Sequence, residues 1–259
     1  MDLSHSIVCN MKCNICSKKS TFLFEELILL KYKVKFYHCS SCDFIQSEDP
    51  YWLNEAYLEP INIYDTGLLY RNIFYSKKTS ILLSLLNLKN GRFLDYAGGY
   101  GVFVRLMRDF GFEFLWHDIY TKNLFAKGFN WPHEKVTAIT FFEVMEHFAD
   151  PIKEISKLLK FSELLIFSTE LMPCKLPNPK EWSYYGFNHG QHISFYSTTS
   201  LKQIAQVLDL NYYHNKSFHI FSKKKIPRLF IYMLKLQRFG LHKFLLNKSN
   251  SFIEKDSNL

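Results

Sequence analysis

From Ser80 the chain repeats one pattern, a helical stretch, a buried strand, a turn and another helix. "SILLSLLNL" carries apolar residues at helical spacing and stops at Asn90-Gly91. "RFLDYA" then reads as a buried strand, and "VFVRLMRDFG" as an amphipathic helix closed by Gly111. "FEFLWHD" is a second strand ending in Asp118, and "VTAITFFEVMEHF" opens as a third, with Thr and Ile giving it β character. "DPIKEISKLLK" is a helix started by Asp-Pro, and "ELLIFST" is a further strand. Strands alternating with helices predict a parallel sheet with both faces covered, an α/β fold. Ligands of such sheets bind at the carboxyl ends of the strands, where Asp95, Asp118 and Glu143 fall.

The turn after the first of these strands, "FLDYAGGYGVFV", places glycines at 99 and 101 ahead of a helix. Glycines there let the backbone approach a ligand closely, with helix N-terminal amides nearby. Asp118, 17 positions after Gly101, is placed to accept hydrogen bonds from a ribose diol. These features fit either a dinucleotide or an adenosine-type ligand. Ala97 stands where a glycine is usual. With a positive φ it costs about 1 kcal/mol relative to glycine, whereas with a negative φ its methyl group is tolerated.

Five of the six cysteines lie in the first 42 residues. Cys13 and Cys16 form one Cys-x-x-Cys pair and Cys39 and Cys42 another, 22 residues apart. Two such pairs complete a four-sulfur tetrahedral site, which suits zinc, and a closed site of this kind is structural rather than catalytic. The intervening "STFLFEELI" and "KYKVKFYHC" are strand-like, so the segment reads as a zinc ribbon. Cys9 is left as a spare or exchangeable ligand, and distant Cys174 as packing.

"LDYAGGYG" resembles the first motif of class I S-adenosylmethionine-dependent methyltransferases, and "FFEVMEHFADP" resembles their "EVLEH…DP" segment. The resemblance spans residues 69–221 and implies a Rossmann-like sheet with helices on both faces, preceded here by the small ribbon. It implies that Gly99 and Gly101 line the methionine portion of the cofactor and that Asp118 binds the ribose hydroxyls. Glu143 to His147 would border the pocket, and Asp95 would act through the amides of the turn that holds Ala97 and on the ligand's amino group. A carboxylate such as Asp95 suits a cationic, phosphate-free ligand better than a pyrophosphate.

After the last core strand, residues 182–196 hold Trp182, Tyr184, Tyr185, His189, Gln191, His192 and Tyr196, with Ser197 or Thr198 as the cap of a following helix. A polar-aromatic loop at the carboxyl edge of the sheet is the expected substrate pocket. Methyl transfer to a hydroxyl requires removal of its proton, and imidazole titrates near neutrality, so His192 and His189 are the candidate bases. "QHISFYS" is similar to the "EHLSYFS" stretch of zinc-containing methyltransferases that act on sugars in antibiotic and surface-glycan pathways. That similarity puts His192 at the place of a proposed base and Gln191 where those enzymes have an acid. The chain ends too soon for the additional C-terminal domain of the C-methylating members, which favours O-methylation of a sugar, nucleotide-sugar or glycan intermediate. Methylation of RNA or protein, with the ribbon as reader, and a non-catalytic protein that keeps the fold are the competing readings.

The net charge of +8 is confined to one segment. Between Lys223 and Lys248 eight basic residues meet no Asp or Glu, and the remainder of the chain is formally neutral. A neutral core argues against nucleic acid as the partner. The basic segment mixes its cations with Leu, Phe and Ile, with Pro227 favouring a helix start and Gly240 a break. It reads either as helices packed on the core or as an amphipathic surface for peripheral contact with anionic membrane. The expected organisation is a ribbon over 1–48, a helical linker or cofactor cover over 49–79, the core over 80–222 and a basic helical tail over 223–259. Arg71, in the cover, is placed either to face the cofactor's carboxylate or on the surface. With no signal peptide and no long apolar run, the expected location is the cytoplasm, including the inner face of the membrane.

Overall fold

The computed structural model describes residues 11–61, 65–246 and 251–258; Cys9 and Lys248 lie outside them. The strands in chain order are β1 (Met11–Lys12), β2 (Lys19–Ile28), β3 (Tyr32–Cys39), β4 (Phe44–Ser47), β5 (Arg92–Tyr96), β6 (Glu113–His117), β7 (Ala138–Phe141), β8 (Leu164–Ser168), β9 (Ser194–Phe195), β10 (Asn211–Asn215) and β11 (Phe218–Ser222). The helices are α1 (Leu53–Ala56), α2 (Leu68–Leu85), α3 (Val102–Asp109), α4 (Pro151–Leu159), α5 (Thr198–Val207), α6 (Arg228–Met233), α7 (Leu241–Leu245) and α8 (Ile253–Ser257). Among the described residues no helix is long and apolar enough to cross a membrane.

The chain forms two compact units that interleave in sequence. The first comprises Met1–Leu58, Glu146–Glu154 and Glu170–Leu208, and the second Glu59–Met145, Ile155–Thr169 and Asp209–Leu259. This grouping departs from the linear segmentation. Residues 170–208 join the ribbon because β9 pairs with β4, setting Ile45 opposite Phe195 and Gln46 opposite Ser194. The boundary at 79/80 falls inside α2, since no glycine or proline interrupts Leu68–Leu85.

In the second unit the strand order is β10-β11-β8-β7-β5-β6. β6, β5, β7 and β8 run parallel, and β11 and β10 add an antiparallel hairpin to the edge of β8. β7 and β8 are buried at every position, as central strands covered on both faces must be. The sheet is flanked by helices. α3 presents Phe103, Val104 and Met107 to the core beside Phe93 and Phe114, and α2 adds Tyr75, Ile81, Leu82 and Leu83. The far end of α3 is clamped. Arg108, buried among these side chains, grips both carboxylate oxygens of Asp256 from α8 at 2.7 Å, and Arg105 adds a third contact at 2.7 Å. α6 starts directly after Pro227, which the sequence marks as a helix start, and Gly240 with φ +81° breaks the tail before α7.

In the first unit the strand order is β1-β2-β3-β4-β9, all antiparallel. Its core joins Ile28, Val34, Phe36, Ile45 and Trp52 from the ribbon side to Tyr185, Ile193 and Phe195 from the downstream loop. Ser197 caps α5: its hydroxyl accepts from the Ser200 amide at 3.1 Å while Ser200 Oγ accepts from the Ser197 amide at 2.8 Å.

Candidate functional site

In the second unit the glycine turn leaves β5 through Asp95 and enters α3 at Gly101. Three of its residues hold left-handed backbone: Ala97 at φ +55°, Gly99 at +54° and Gly101 at +86°. The question posed by Ala97 is therefore resolved toward strain. Gly101 admits no substitute, because a Cβ there would meet Ala126 Cβ at 2.9 Å and Asn123 Oδ1 at 3.0 Å. Gly98, not singled out from the sequence, is equally constrained: its Cβ would lie 2.7 Å from Asp95 Oδ2 and 3.1 Å from Trp116 Cδ1.

The three acids lie at the ends of three adjacent parallel strands. Asp95 is 3% exposed and accepts a hydrogen bond from Thr140 Oγ1 at 2.7 Å. Burial pushes its carboxyl up to about 7, opposed by the Thr140 hydroxyl and reinforced by the charge of Asp118. Asp118, just past β6, organises the turn directly. Oδ2 accepts the Gly99 amide at 2.9 Å, and Oδ1 accepts the amides of Tyr120 at 2.7 Å and Thr121 at 2.9 Å. A carboxylate offers roughly four acceptor sites, and among the described residues these three amides take three of them. The Trp116 indole and the Thr121 hydroxyl both donate to the Gly99 carbonyl, at 2.9 and 2.8 Å. Glu143, after β7, also holds a left-handed backbone at φ +56°. Its amide donates to Ser168 Oγ at 2.8 Å, and the same hydroxyl donates to Glu143 Oε1 at 2.5 Å. Arg71 pairs with Asp65 and brings Nε within 4.0 Å of Glu143 Oε2, so it is a held, half-buried cation rather than a free surface arginine. Strained backbone, close-approach glycines and convergent carboxylates fit the polar and cationic parts of S-adenosylmethionine.

The first unit carries two clusters. The sulfurs of Cys13, Cys16, Cys39 and Cys42 all lie within 4.8 Å of one another, with Cys13–Cys42 and Cys16–Cys39 both at 3.5 Å and no disulfide among them. Tetrahedral Zn–S bonds of ~2.3 Å place sulfurs ~3.8 Å apart, so the cluster fits such an ion. Cys174 is exposed rather than packed.

The second cluster joins Glu146, His147 and His192, each offering a ligand-type atom within 4.8 Å of the others. Glu146 is completely buried; the sequence places it only within the pocket-bordering stretch from Glu143 to His147, since nothing but burial separates it from an ordinary surface acid. His147 Nδ1 is 2.9 Å from the Tyr57 hydroxyl, and its ring stands edge-on to His192. His192 Nδ1 is 2.6 Å from the carbonyl of Tyr184; a carbonyl only accepts, so Nδ1 carries the proton and Nε2 is the basic nitrogen. His189 has the opposite tautomer, because its Nδ1 accepts the Gln191 amide at 3.2 Å. Among the loop aromatics, Tyr185 and Tyr196 are buried core, while Trp182 donates to Glu170 and Tyr184 accepts the Glu170 amide.

Residues 70–215, more than half of the chain, match a family described as a methyltransferase domain. No curated protein sequence matches the chain. Solved structures with a similar chain path include a SAM-dependent methyltransferase from Thermotoga maritima, 13% identical, covering 67% of this chain and 100% of that one at a TM-score of 0.46. Human N-acetylserotonin methyltransferase in complex with SAM is 14% identical over 67% of this chain and 66% of that one, with a TM-score of 0.45. An O-methyltransferase family 2 protein from Planctomyces limnophilus in complex with apigenin is 14% identical over 52% of this chain at a TM-score of 0.41, and the chain spans 50% of its length.

Proposed function

Because the chain belongs to the methyltransferase-domain family, we infer that it transfers a methyl group from S-adenosylmethionine to a hydroxyl of a sugar, nucleotide-sugar or glycan intermediate. The observation that carries the cofactor assignment is the Asp118 carboxylate, which fixes the Gly99 amide at the end of β6. Gly99 and Gly101 expose the backbone to the methionine portion, Glu143 supplies negative potential toward its cationic groups, and Asp95 beneath Gly98 adds to it once ionised. Bound there, S-adenosylmethionine supplies an electrophilic methyl carbon on a positively charged sulfur. Held by Asp118, Gly99 and Gly101, it would pass that methyl to an acceptor oxygen, with the sulfur–carbon electron pair returning to sulfur.

The acceptor's proton goes to His192 Nε2. The Tyr184 carbonyl sets the tautomer that makes Nε2 basic, and Glu146 offers a carboxyl oxygen within 4.8 Å of the imidazole. His189 accepts the Gln191 amide on Nδ1 and so orients the loop. His147, tied to Tyr57, supports His192 from the other side. The four-cysteine cluster holds a structural zinc that fixes the ribbon strands against β9, whose loop carries His192.

The test separates binding from chemistry. His192→Ala is expected to keep calorimetric S-adenosylmethionine binding within about twofold and to slow methyl transfer about 100-fold or more. The acceptor panel is nucleotide-sugars and extracted surface glycan, read with labelled S-adenosylmethionine. Unchanged turnover removes His192 as the base. Methylation of peptide or RNA with every sugar inert removes the sugar assignment.

A further inference from the structure

The tail read as basic and apolar in sequence folds onto the second unit with a clear division of faces. Ile231 and Leu234 are buried in the main core beneath α6 and the turn that follows it. The outer face keeps large apolar side chains in water: Leu229, Tyr232, Leu236, Phe239 at 67% exposure and Phe244 at 85%. Helix α2 contributes to the same region, with Leu69 and Ile73 exposed and Tyr70 at 72%. Between α2 and the tail lies a groove of about 630 Å³, lined by Tyr70, Ile73 and Phe74 on one side and Phe239 and Phe244 on the other.

Cations punctuate this apolar surface. Lys77, Arg238 and Lys243 line the groove, and no carboxylate does so among the described residues. Lys235 and Arg228 are exposed on the tail beside them, and residues 223–246 contain no Asp or Glu. Exposed aromatics standing singly are ordinary, but a groove of them rimmed by one sign of charge marks a binding face. The pattern matches one occupant in particular. Aromatic and Leu side chains enter the headgroup–acyl boundary of a bilayer, while Lys and Arg bind the anionic headgroups above it. A folded acidic protein would leave some of the apolar rim wet, and a nucleic acid would leave the aliphatic Leu229 and Leu236 without stacking partners.

We propose that the α2–tail face of the second unit, with Phe239 and Phe244 as apolar anchors and Lys77, Lys235, Arg238 and Lys243 as headgroup ligands, docks this protein on an anionic bilayer surface. This goes beyond the methyl-transfer reading and stands independently of it.

The experiment is vesicle co-sedimentation of the full chain. One set of vesicles is phosphatidylcholine alone, and the other has about one lipid in three replaced by phosphatidylglycerol. Binding to the anionic vesicles is expected to be at least ~10-fold tighter and to weaken as salt rises. Lys235→Glu, Arg238→Glu and Lys243→Glu together should reduce it to the phosphatidylcholine level. Phe239→Ser with Phe244→Ser should weaken it while leaving its salt dependence in place. All these positions are exposed, and circular dichroism with S-adenosylmethionine calorimetry checks that the variants remain folded. Equal binding to both vesicle types, no binding to either, or anionic binding untouched by the charge reversals would overturn the proposal. So would binding to duplex DNA or RNA as tight as to the anionic vesicles.

Discussion

Replacing Ala97 by glycine should stabilise this protein, against the usual trend for glycine. Ala97 sits at φ +55° between β5 and the Gly98–Gly99 pair. An L-residue in that region pays roughly 1–2 kcal/mol for the clash of Cβ with the following carbonyl. Glycine avoids the clash but forfeits about 0.5–1 kcal/mol of additional backbone entropy on folding. The difference leaves Ala97→Gly more stable by about 0.5–1 kcal/mol. With an unfolding entropy of ~2.1 cal/mol/K per residue, a chain of 259 residues gains ~1–2 °C in Tm from that difference. The neighbouring position is the control. Gly98→Ala, whose Cβ would press on Asp95 Oδ2 at 2.7 Å, should instead lose stability. Differential scanning calorimetry of the three proteins, at one pH and without ligand, gives the comparison. A lower Tm for Ala97→Gly, or a Gly98→Ala as stable as the parent, would refute the account of strain in this turn.

Asp95→Asn should change how stability depends on pH. The folded-state carboxyl titrates at about 7 against an ordinary 3.8, so across that window the folded chain holds a proton the unfolded chain releases. Stability therefore falls as pH rises from about 4 to 7, by an amount on the order of 4 kcal/mol if the carboxyl remains dry. The Asn variant should lack that fall, matching the parent near pH 4 and exceeding it at pH 8 in urea titrations, while losing cofactor affinity. Zinc should be present at close to one per chain by elemental analysis. Structural zinc sites contribute on the order of 10 kcal/mol at neutral pH, so chelation or Cys39→Ser should unfold the first unit and lower the near-ultraviolet dichroism of its buried Trp52.

Much of the second unit was legible because its periodicities are undisturbed. The glycine turn and the apolar runs that became β5, β7 and β8 each carry a local signal. The β10–β11 hairpin escaped because "NYYHN" alternates weakly and its pairing with β8 is a tertiary fact. The Tyr, Trp and His content of the loop over 182–196 predicts a pocket wall. Tyr185 and Tyr196 are instead core, held by ring contacts to Phe24, Phe36 and Phe44 from the ribbon. The motif located Asp118 but not its three amide partners, since those depend on how the chain returns through Tyr120 and Thr121. The tautomers of His189 and His192 are likewise set by a main-chain amide and a carbonyl, which have no side-chain signature.

The pairing of β4 with β9 has a consequence for anyone who would treat the cysteine-bearing segment as a cassette. Cut after residue 48, it would carry away four strands and leave the outer edge of β4, with Phe44 and Ile45 fully buried in the intact chain, as an open template for foreign strands. The remainder would keep a loop whose aromatic anchors had lost their seat. Grafting experiments and domain shuffling alike must move the ribbon and the 170–208 excursion together, as one exchangeable part encoded in separate places.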